Sequence, residues 1–398
     1  DIPIKAILMN PLNNEEVIIG TELGVWKTSN FGILTPASSP NWTQSYNGMS
    51  NVPVTSFDLR TADNTVLVST YGRGMFTGKF TADAMTTTWT GAVDTDWATE
   101  GNWSNGLPTP SAEAIIPNVT TKPVIGSTVS LKNLVIENES LLTINGTGSL
   151  TLSENITNNG TFSVNSGGSV IVNGTSIGNI TYNIAIADTN WHLVSSPVIG
   201  EQYDDVWVTN NSIASGTGNN RGISYYNNGT PHVTTQHWRY FQTAEAGSFT
   251  NGIGYSTLRT SVGNYSFIGP FPTTDVTPSI SQDDNNWNLL GNPYPSYIDI
   301  AAFITANTTK ISSAYQTIYV WNGSAYDNLT TGYIHPGQGF FVNSNLVSGT
   351  VSITEAMQSH QTGITFYRTS NPSINLKISD GISSKETQIN YLADKTTG

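Results

Sequence analysis

The stretch NWHLVSSPV at 190–198 returns later in the chain as NWNLLGNPY at 286–294. Each copy is typical of a strand that stops at a proline, because proline lacks the backbone N–H that a sheet requires. The repeat predicts a building unit that is used twice, with its two tryptophans at equivalent, buried positions. The recurring residues are Trp191, Leu193 and Pro197, followed by Trp287, Leu289 and Pro293.

The likeness between the two copies extends beyond the first strand. Aromatic strands and a Gly-x-Gly-aromatic segment follow each tryptophan strand, so we predict a duplicated β-sandwich, jelly-roll-like, over residues 187–368. A dinucleotide fingerprint would need a third glycine and a following helix, so the glycine pairs predict a β-bulge or a tight turn. The segments are GISYYNN (222–228), HWRYFQT (237–243) and NGIGYS (251–256), then TIYVWNGSAY (317–326) and PGQGFFV (336–342).

One segment has a helical pattern. In SYIDIAAFITANTTK (296–310), Asp299 is a candidate N-cap, and Ile300, Phe303 and Ile304 share one face of the predicted helix. Elsewhere, short runs of β-branched and aromatic residues alternate with Gly, Asn and Pro turns, which indicates an all-β protein.

Composition limits the function classes. The chain has 398 residues, enough for two to four domains, and a net charge of −13 that disfavours binding to nucleic acid. It has no cysteine, which excludes disulfides and thiolate metal sites. No apolar run approaches the roughly 18–20 residues of a transmembrane helix.

Residues 1–80 predict four short strands: IKAILMN, EVIIGTE, GVWKTSN and TVLVSTY. The segments IIGTELGVWKTSNFG (18–32), NWTQSYNGM (41–49) and STYGRGMF (69–76) resemble the last blade of a sialidase-like or sortilin-like β-propeller. In this resemblance, Asn30 stands where an Asp-box hairpin usually has Asp. One blade cannot bury both of its faces, so we expect earlier blades upstream.

After a predicted linker at 81–88, residues 89–186 predict a β-ladder. The segment 88–118 resembles the opening of secreted β-helical passenger segments, with Trp89, Trp97 and Trp103 as a cap. Stacked solenoid rungs and an antiparallel sandwich both fit the β triplets that follow. The triplets are LVI (134–136), LTI (142–144), LTL (150–152), FSV (162–164) and VIV (170–172), with a longer gap around Ile156.

Two further segments indicate a secretion class. WNLLGNPYPSYID (287–299) with PGQGFFV resembles the module that precedes the sorting signal in large Bacteroidota surface proteins exported by type IX secretion. Residues 369–398 resemble the strands that lead to that sorting domain. The resemblance implies a bacterial extracellular or cell-surface protein, with the type IX translocon as its partner during export.

Candidate site residues fall into two groups. The strand aromatics Trp238, Tyr240, Trp321 and Tyr326 are candidates for stacking on sugar rings if exposed, although sandwich core is the favoured interpretation. Asp283 and Asp284 crowd hard oxygen ligands into one loop and are candidates for Ca²⁺. No nucleophile elbow or metal-binding helix motif is present, so no catalytic residue or other cofactor is assigned.

We therefore expect the non-enzymatic structural or adhesive portion of a large secreted protein, with surface glycans or other cell-surface proteins as partners. One alternative is a carbohydrate-binding accessory region of a secreted glycoside hydrolase. A second is a hydrolase domain within residues 187–368. Exposed aromatics in a groove favour the first alternative, and a buried carboxylate or histidine pair in a pocket favours the second.

Overall fold

The structure is a computed structural model, and it confirms the all-β class, with 47% strand and 7% helix. The chain divides into two compact units, residues 1–85 and 86–398. The structure describes residues 2–28, 31, 40–45, 48–49, 51–80, 86–229, 237–362, 366, 373–379 and 384–390.

The described residues of the first unit form two antiparallel sheets, in the orders β1-β2-β3-β4 and β5-β6-β7. These are seven strands where the sequence predicted four, and TVLVSTY belongs to the second sheet. Asn30 lies outside the described residues. The strands are β1 (Ile4–Asn10), β2 (Asn13–Thr21), β3 (Gly24–Thr28), β4 (Thr43–Ser45), β5 (Val54–Arg60), β6 (Thr65–Thr70) and β7 (Met75–Lys79).

A small core joins these two sheets. Ile18 and Val25 from the first sheet pack with Val54, Val66 and Val68 from the second. This packing of one antiparallel sheet on another is compatible with neighbouring propeller blades, and the propeller interpretation stays a prediction.

The second unit begins with a β-solenoid of about four turns. Three parallel sheets form its sides, in the orders β18-β15-β12-β9-β8, β10-β13-β16-β19 and β11-β14-β17. The strands are β8 (Thr86–Thr88), β9 (Glu113–Ile116), β10 (Val124–Ile125), β11 (Thr128–Leu131), β12 (Asn133–Ile136), β13 (Leu141–Ile144), β14 (Ser149–Leu152), β15 (Ile156–Asn158), β16 (Thr161–Val164), β17 (Ser169–Val172), β18 (Ser176–Ile177) and β19 (Ile180–Ile186).

The register explains the spacing of the β triplets. Leu142 pairs with Phe162, and Leu150 pairs with Val170, so strands that stack on each other lie about 20 positions apart in sequence. The eight-residue spacing between triplets is instead the separation of two consecutive strands that lie on different sides of the same solenoid turn. The longer gap around Ile156 is itself a strand, β15. The sequence left solenoid and sandwich open, and parallel pairing decides for the solenoid.

The predicted tryptophan cap lies at the N-terminal end of the solenoid. Trp89, Trp97 and Trp103 are all buried, and the Trp103 ring contacts the other two edge-to-face at 5.2 and 4.6 Å. The Trp89 indole donates to the Thr121 carbonyl at 2.8 Å. Thr86–Thr88, assigned to the linker from the sequence, instead form β8, because they pair in parallel with β9.

The solenoid continues into the next part of the chain. Its last strand, β19, pairs antiparallel with a strand at Gly263–Gly269, and one hydrophobic cluster spans both regions. On a second side, the Val170 amide donates to the Pro295 carbonyl at 2.8 Å. The segments 89–186 and 187–368 therefore share a core within one compact unit.

The repeat corresponds to two four-stranded antiparallel sheets with the same strand order. The orders are β20-β23-β21-β22 and β26-β31-β28-β29. If the four strands of each sheet are numbered along the chain, both sheets have the order first, fourth, second, third. The strands are β20 (His192–Ser195), β21 (Asn220–Tyr226), β22 (Trp238–Gln242), β23 (Gly254–Thr257), β24 (Gly263–Gly269, the partner of β19), β25 (Ser279–Ser281), β26 (Trp287–Gly291), β27 (Tyr297–Asp299), β28 (Ile318–Trp321), β29 (Tyr326–Leu329), β30 (Tyr333–Ile334) and β31 (Gly339–Asn343).

Each half also carries a short helix after its proline turn. In α1 (Asp205–Asn210), Asp204 caps the Trp207 amide, and in α2 (Ile300–Ala306), Asp299 caps the Ala302 amide. The sequence predicted α2 with this cap and missed α1. Ile300 and Phe303 are buried as expected, whereas Ile304 is only partly buried.

The remaining described elements are small. β25 pairs with β32 (Ser348–Thr350), β27 lies between β30 and β33 (Gln358–Ser359), and β34 (Ser373–Ser379) pairs with β35 (Ser384–Asn390). Three 3-10 helices lie at Glu100–Asn102, Ser313–Tyr315 and Glu355–Met357. Within the described ranges, no helix has the length and apolar character needed to cross a membrane.

Candidate ligand-binding site

Reciprocal backbone hydrogen bonds join the two halves of the repeat. The Ser195 amide donates to the Gly337 carbonyl at 2.7 Å, and the Gly291 amide donates to the Gly252 carbonyl at 2.9 Å. Ser195 and Gly291 end the two tryptophan strands, and both glycines have positive φ, at 77° for Gly252 and 71° for Gly337. The halves therefore meet through the same surface, related by an internal two-fold. The predicted tight turns are confirmed.

The strand registers establish which aromatic residues correspond. Tyr226 lies opposite Trp238 in the first half, and Trp321 lies opposite Tyr326 in the second. The internal two-fold thus exchanges Tyr226 with Trp321 and Trp238 with Tyr326. Side chains alternate between the two faces of a strand. The four residues, together with Trp191 and Trp287, therefore present their rings on the same face of the two sheets.

Two cavities lie on this face. The first, here called the Trp191 cavity, has a volume of about 230 Å³, and the second, the Trp287 cavity, about 370 Å³. Trp238 and Tyr326 line both cavities, so they form a shared wall. The Trp191 cavity is lined by Trp191, Leu193, Trp238, Tyr240, Ser256, Trp321 and Tyr326, and the Trp287 cavity by Tyr226, Trp238, Trp287, Tyr319, Tyr326 and Phe341.

Phe341 is the buried centre of the aromatic face. The Tyr226 and Tyr326 rings meet it edge-to-face at centroid distances of 4.9 and 5.5 Å, and the Trp238 ring does so at 6.1 Å. Phe341 packs with Leu193 and Leu289 in a hydrophobic cluster separate from the two main cores. This cluster fixes the orientation of the rings above it.

The cavities are electrically neutral. None of the side chains named as their lining carries a charge, and burial raises the pKa of Tyr226 above its usual range. Tyr326 keeps 46% of its surface exposed, yet partial burial, reinforced by the nearby Tyr226 hydroxyl, raises its pKa to about 12. Both phenols remain protonated near neutral pH and can donate hydrogen bonds.

A family model described as a domain of unknown function, DUF8693, matches residues 88–331, more than half of the chain. The chain belongs to this family. No curated protein and no solved structure matches it. The DUF8693 match covers the solenoid, the first half of the repeat and the second half as far as β29. Of the residues lining the two cavities, it includes all except Phe341.

The four aromatic residues that the sequence of this DUF8693 chain indicated as candidates for stacking on sugar rings come together in the structure. Trp238, Tyr240, Trp321 and Tyr326 all line the Trp191 cavity. The favoured expectation that they fill a sandwich core is wrong, because Trp238, Tyr240 and Trp321 are only partly buried and Tyr326 is exposed.

Trp191 and Trp287 are also less buried than the sequence predicted. Their strands are equivalent, and the prolines follow the strand ends as predicted, but both rings are half-buried. Each lies on the shared aromatic face and packs edge-to-face on a tyrosine, at 5.9 Å for Trp191 on Tyr240 and 4.9 Å for Trp287 on Tyr319. Sequence reasoning missed them as site residues, along with Tyr319 and Phe341. The period-two pattern of Trp287 and Leu289 was the available signal.

The proposed calcium ligands lie at one margin of the second half. Asp284 is 3.6 Å from the His237 imidazole, and the Asp283 amide donates to the Asn285 carbonyl at 3.2 Å. Among the residues that the structure describes, no three His, Asp or Glu side chains cluster in a way that could hold a metal ion. The calcium site stays a prediction and gains no third acidic or imidazole ligand from these residues.

Proposed function

We propose that this DUF8693 chain is a non-enzymatic binding portion of a secreted adhesive protein, and that it holds neutral glycans on its aromatic face. The observation that carries the proposal is the shared wall of Trp238 and Tyr326, which presents rings to two adjoining cavities. The same observation also supports the alternative of a carbohydrate-binding accessory region of a secreted glycoside hydrolase, and sugar binding is common to both proposals.

The chemistry of the lining supports a sugar ligand. A sugar ring has an apolar face of C–H groups that packs on an aromatic ring, and a rim of hydroxyls that hydrogen-bond with neutral donors and acceptors. The lining offers indole and phenol rings with protonated tyrosine hydroxyls, and no charge that would attract an ionic ligand. A charged polysaccharide would find no oppositely charged side chain among the lining residues, and the net charge of −13 would repel an acidic polysaccharide.

The wider context rests on the sequence resemblance. We infer type IX export, a cell-surface or extracellular location and a structural role that displays the aromatic face away from the rest of the protein. In that setting, weak single contacts would be strengthened by many copies on one surface.

Affinity electrophoresis of the full chain tests the proposal. The panel contains the neutral polysaccharides barley β-glucan, xyloglucan, galactomannan and laminarin, with alginate and polygalacturonate as acidic members. We expect retardation by at least one neutral polysaccharide, and roughly tenfold weaker binding for Tyr326→Ala and Trp238→Ala, the loss expected for one aromatic contact.

Tyr71→Ala is the matched control, since Tyr71 is 79% exposed in the other unit and lines neither cavity. It should bind like the parent protein. Retention by no neutral polysaccharide, or equal loss in the control, would refute the proposal. Release of reducing sugar that a single Asp, Glu or His substitution abolishes would favour the hydrolase alternative instead.

A further inference from the structure

A third cavity continues the aromatic face. It has a volume of about 330 Å³ and shares Tyr226 and Trp287 with the Trp287 cavity. The three cavities thus adjoin in sequence, and each shares a pair of aromatic lining residues with the next. This polar cavity is lined by Tyr226, Asn228, Ile253, Ser279, Ile280, Ser281, Trp287, Asn288, Leu289, Ser348 and Gly349.

Hydrogen bonds hold the polar side chains of this cavity in place. The Asn228 amide donates to the Ser281 carbonyl at 2.8 Å, and the Ser281 hydroxyl donates to the Asn228 side-chain oxygen at 3.1 Å. The Ser281 backbone amide in turn donates to the Asn288 side-chain oxygen at 3.0 Å. Groups fixed in this way lose little freedom when a ligand binds, which favours affinity.

The order of the cavities indicates the shape of the ligand. Two aromatic cavities followed by a polar one form an elongated site. One cavity is smaller than the roughly 300–1,000 Å³ typical of a single small-molecule site, and the other two are near the lower end of that range. A compact ligand would fill one cavity and leave the others empty. A chain of repeating neutral units would place successive units in successive cavities.

We propose that one linear neutral polysaccharide chain lies along the Trp191, Trp287 and polar cavities, with sugar rings stacked in the first two and hydroxyls hydrogen-bonded in the third. This inference rests on the proposed function. It adds that the ligand is a linear chain bound at internal units, and that Asn228 and Ser281 take part in binding, with Asn288 holding Ser281 in place.

Calorimetry with the full chain tests it. The probes are cello-, xylo- and manno-oligosaccharides from disaccharide to hexasaccharide. We expect one oligosaccharide per protein and an affinity that rises with chain length until all three cavities are filled. Independent sites would instead bind short sugars as well as long ones and take up more than one per protein.

The variant Ser348→Tyr tests the polar cavity separately. Ser348 is exposed at its edge, so the larger side chain should obstruct the cavity without unfolding the protein. We expect at least a fivefold loss of hexasaccharide affinity and no change for the shortest oligosaccharide that binds. Ser324→Tyr, at an exposed position that lines none of the three cavities, is the matched control.

The outcomes separate the two proposals. If no polysaccharide or oligosaccharide binds, the proposed function fails. If sugars bind but affinity does not depend on length, or Ser348→Tyr leaves hexasaccharide binding unchanged, the proposed function stands and the continuous three-cavity site is refuted.

Discussion

Gly339 lies so close to Leu193 that a Cβ at this glycine would meet the Leu193 backbone at 3.0 Å. The counterpart contact is tighter, because a Cβ at Gly254 would lie 2.5 Å from the Leu290 carbonyl oxygen and 2.7 Å from the Leu289 side chain. Each half therefore packs a glycine, which has no side chain, against the strand of the other half that contains Leu193 or Leu289. The Gly-x-Gly segments serve this close approach.

Gly254→Ala should consequently destabilise the protein by about 1–3 kcal/mol, the usual cost of overpacking a close contact. Gly339→Ala should cost less, since its neighbour is a few tenths of an ångström farther away. Urea denaturation measures both free energies of unfolding. Gly78→Ala, on β7 with no atom within 4 Å of the added Cβ, is the control and should change little. Unchanged stability of both glycine variants would contradict the reciprocal packing, and a reversed order of the two costs would contradict the ranking by distance.

Trp191→Ala and Trp287→Ala should have similar effects on stability, because the two rings occupy corresponding half-buried positions. We expect about 1–2 kcal/mol for each, below the roughly 3–5 kcal/mol of a fully buried tryptophan. Chemical denaturation measures both. A cost near the upper value for one variant and near zero for the other would show that the positions are not equivalent.

Trp89→Ala should be more costly, at about 3–5 kcal/mol, because the ring is fully buried at the end of the solenoid. Trp89→Phe keeps an aromatic ring against Trp103 but loses the hydrogen bond to Thr121, so it should fall between the alanine variant and the parent protein. Thermal unfolding would give this ranking. Equal stability of Trp89→Ala and the parent protein would contradict a capping role.

The stability of the protein should fall as the pH drops from about 6.5 to about 4. Burial lowers the pKa of His335 to about 4, from an ordinary value of 6.5, despite a hydrogen bond to the Pro336 carbonyl. The unfolded chain therefore binds a proton first, and folding loses up to about 3 kcal/mol across this window. The pKa of His360 is lowered to about 4 in the same direction, also by burial.

A pH series of denaturation curves checks this. His335→Phe cannot take up that proton, so its stability should decline less between pH 6.5 and 4 than that of the parent protein. The two curves would run parallel if His335 were protonated equally in the folded and unfolded states.

The first unit should promote self-association through its edge strand. β1 lies at the edge of its sheet, and Ile4, Ile7 and Met9 are 59%, 61% and 46% exposed. An exposed apolar edge strand is a template for pairing with another chain. Light scattering at increasing concentration should show association that Ile7→Lys suppresses. Tyr71→Lys adds the same charge away from this strand, and equal suppression by it would point to charge alone.

Local patterns predicted much of the fold. Alternating triplets and turn residues located most of the solenoid strands, and the Asp299 cap located α2, because these features depend on residues close together in sequence. The length of a solenoid turn could not be obtained in this way. It depends on Leu142 pairing with Phe162 rather than with Leu150, which is a long-range choice.

The candidate site shows the same division. The sequence identified Trp238 and Trp321 as strand aromatics, but nothing local indicates that they lie in one cavity. That proximity follows from the docking of the two halves through their glycine segments. The strand aromatics were wrongly expected to be buried for the same reason. The residue pattern of a single strand does not distinguish the interior of a sandwich from a partly exposed face formed by two sheets.

The internal two-fold makes this chain comparable to a homodimer whose subunits have been joined. In a true homodimer, every substitution appears in both copies of a site, so the two sites cannot diverge. Here Ser256 pairs with Leu193 in the first half where Phe341 pairs with Leu289 in the second, and the two cavities already differ in size. Covalent linkage of the halves thus allows the two cavities of the aromatic face to diverge while a single symmetric interface holds the halves together.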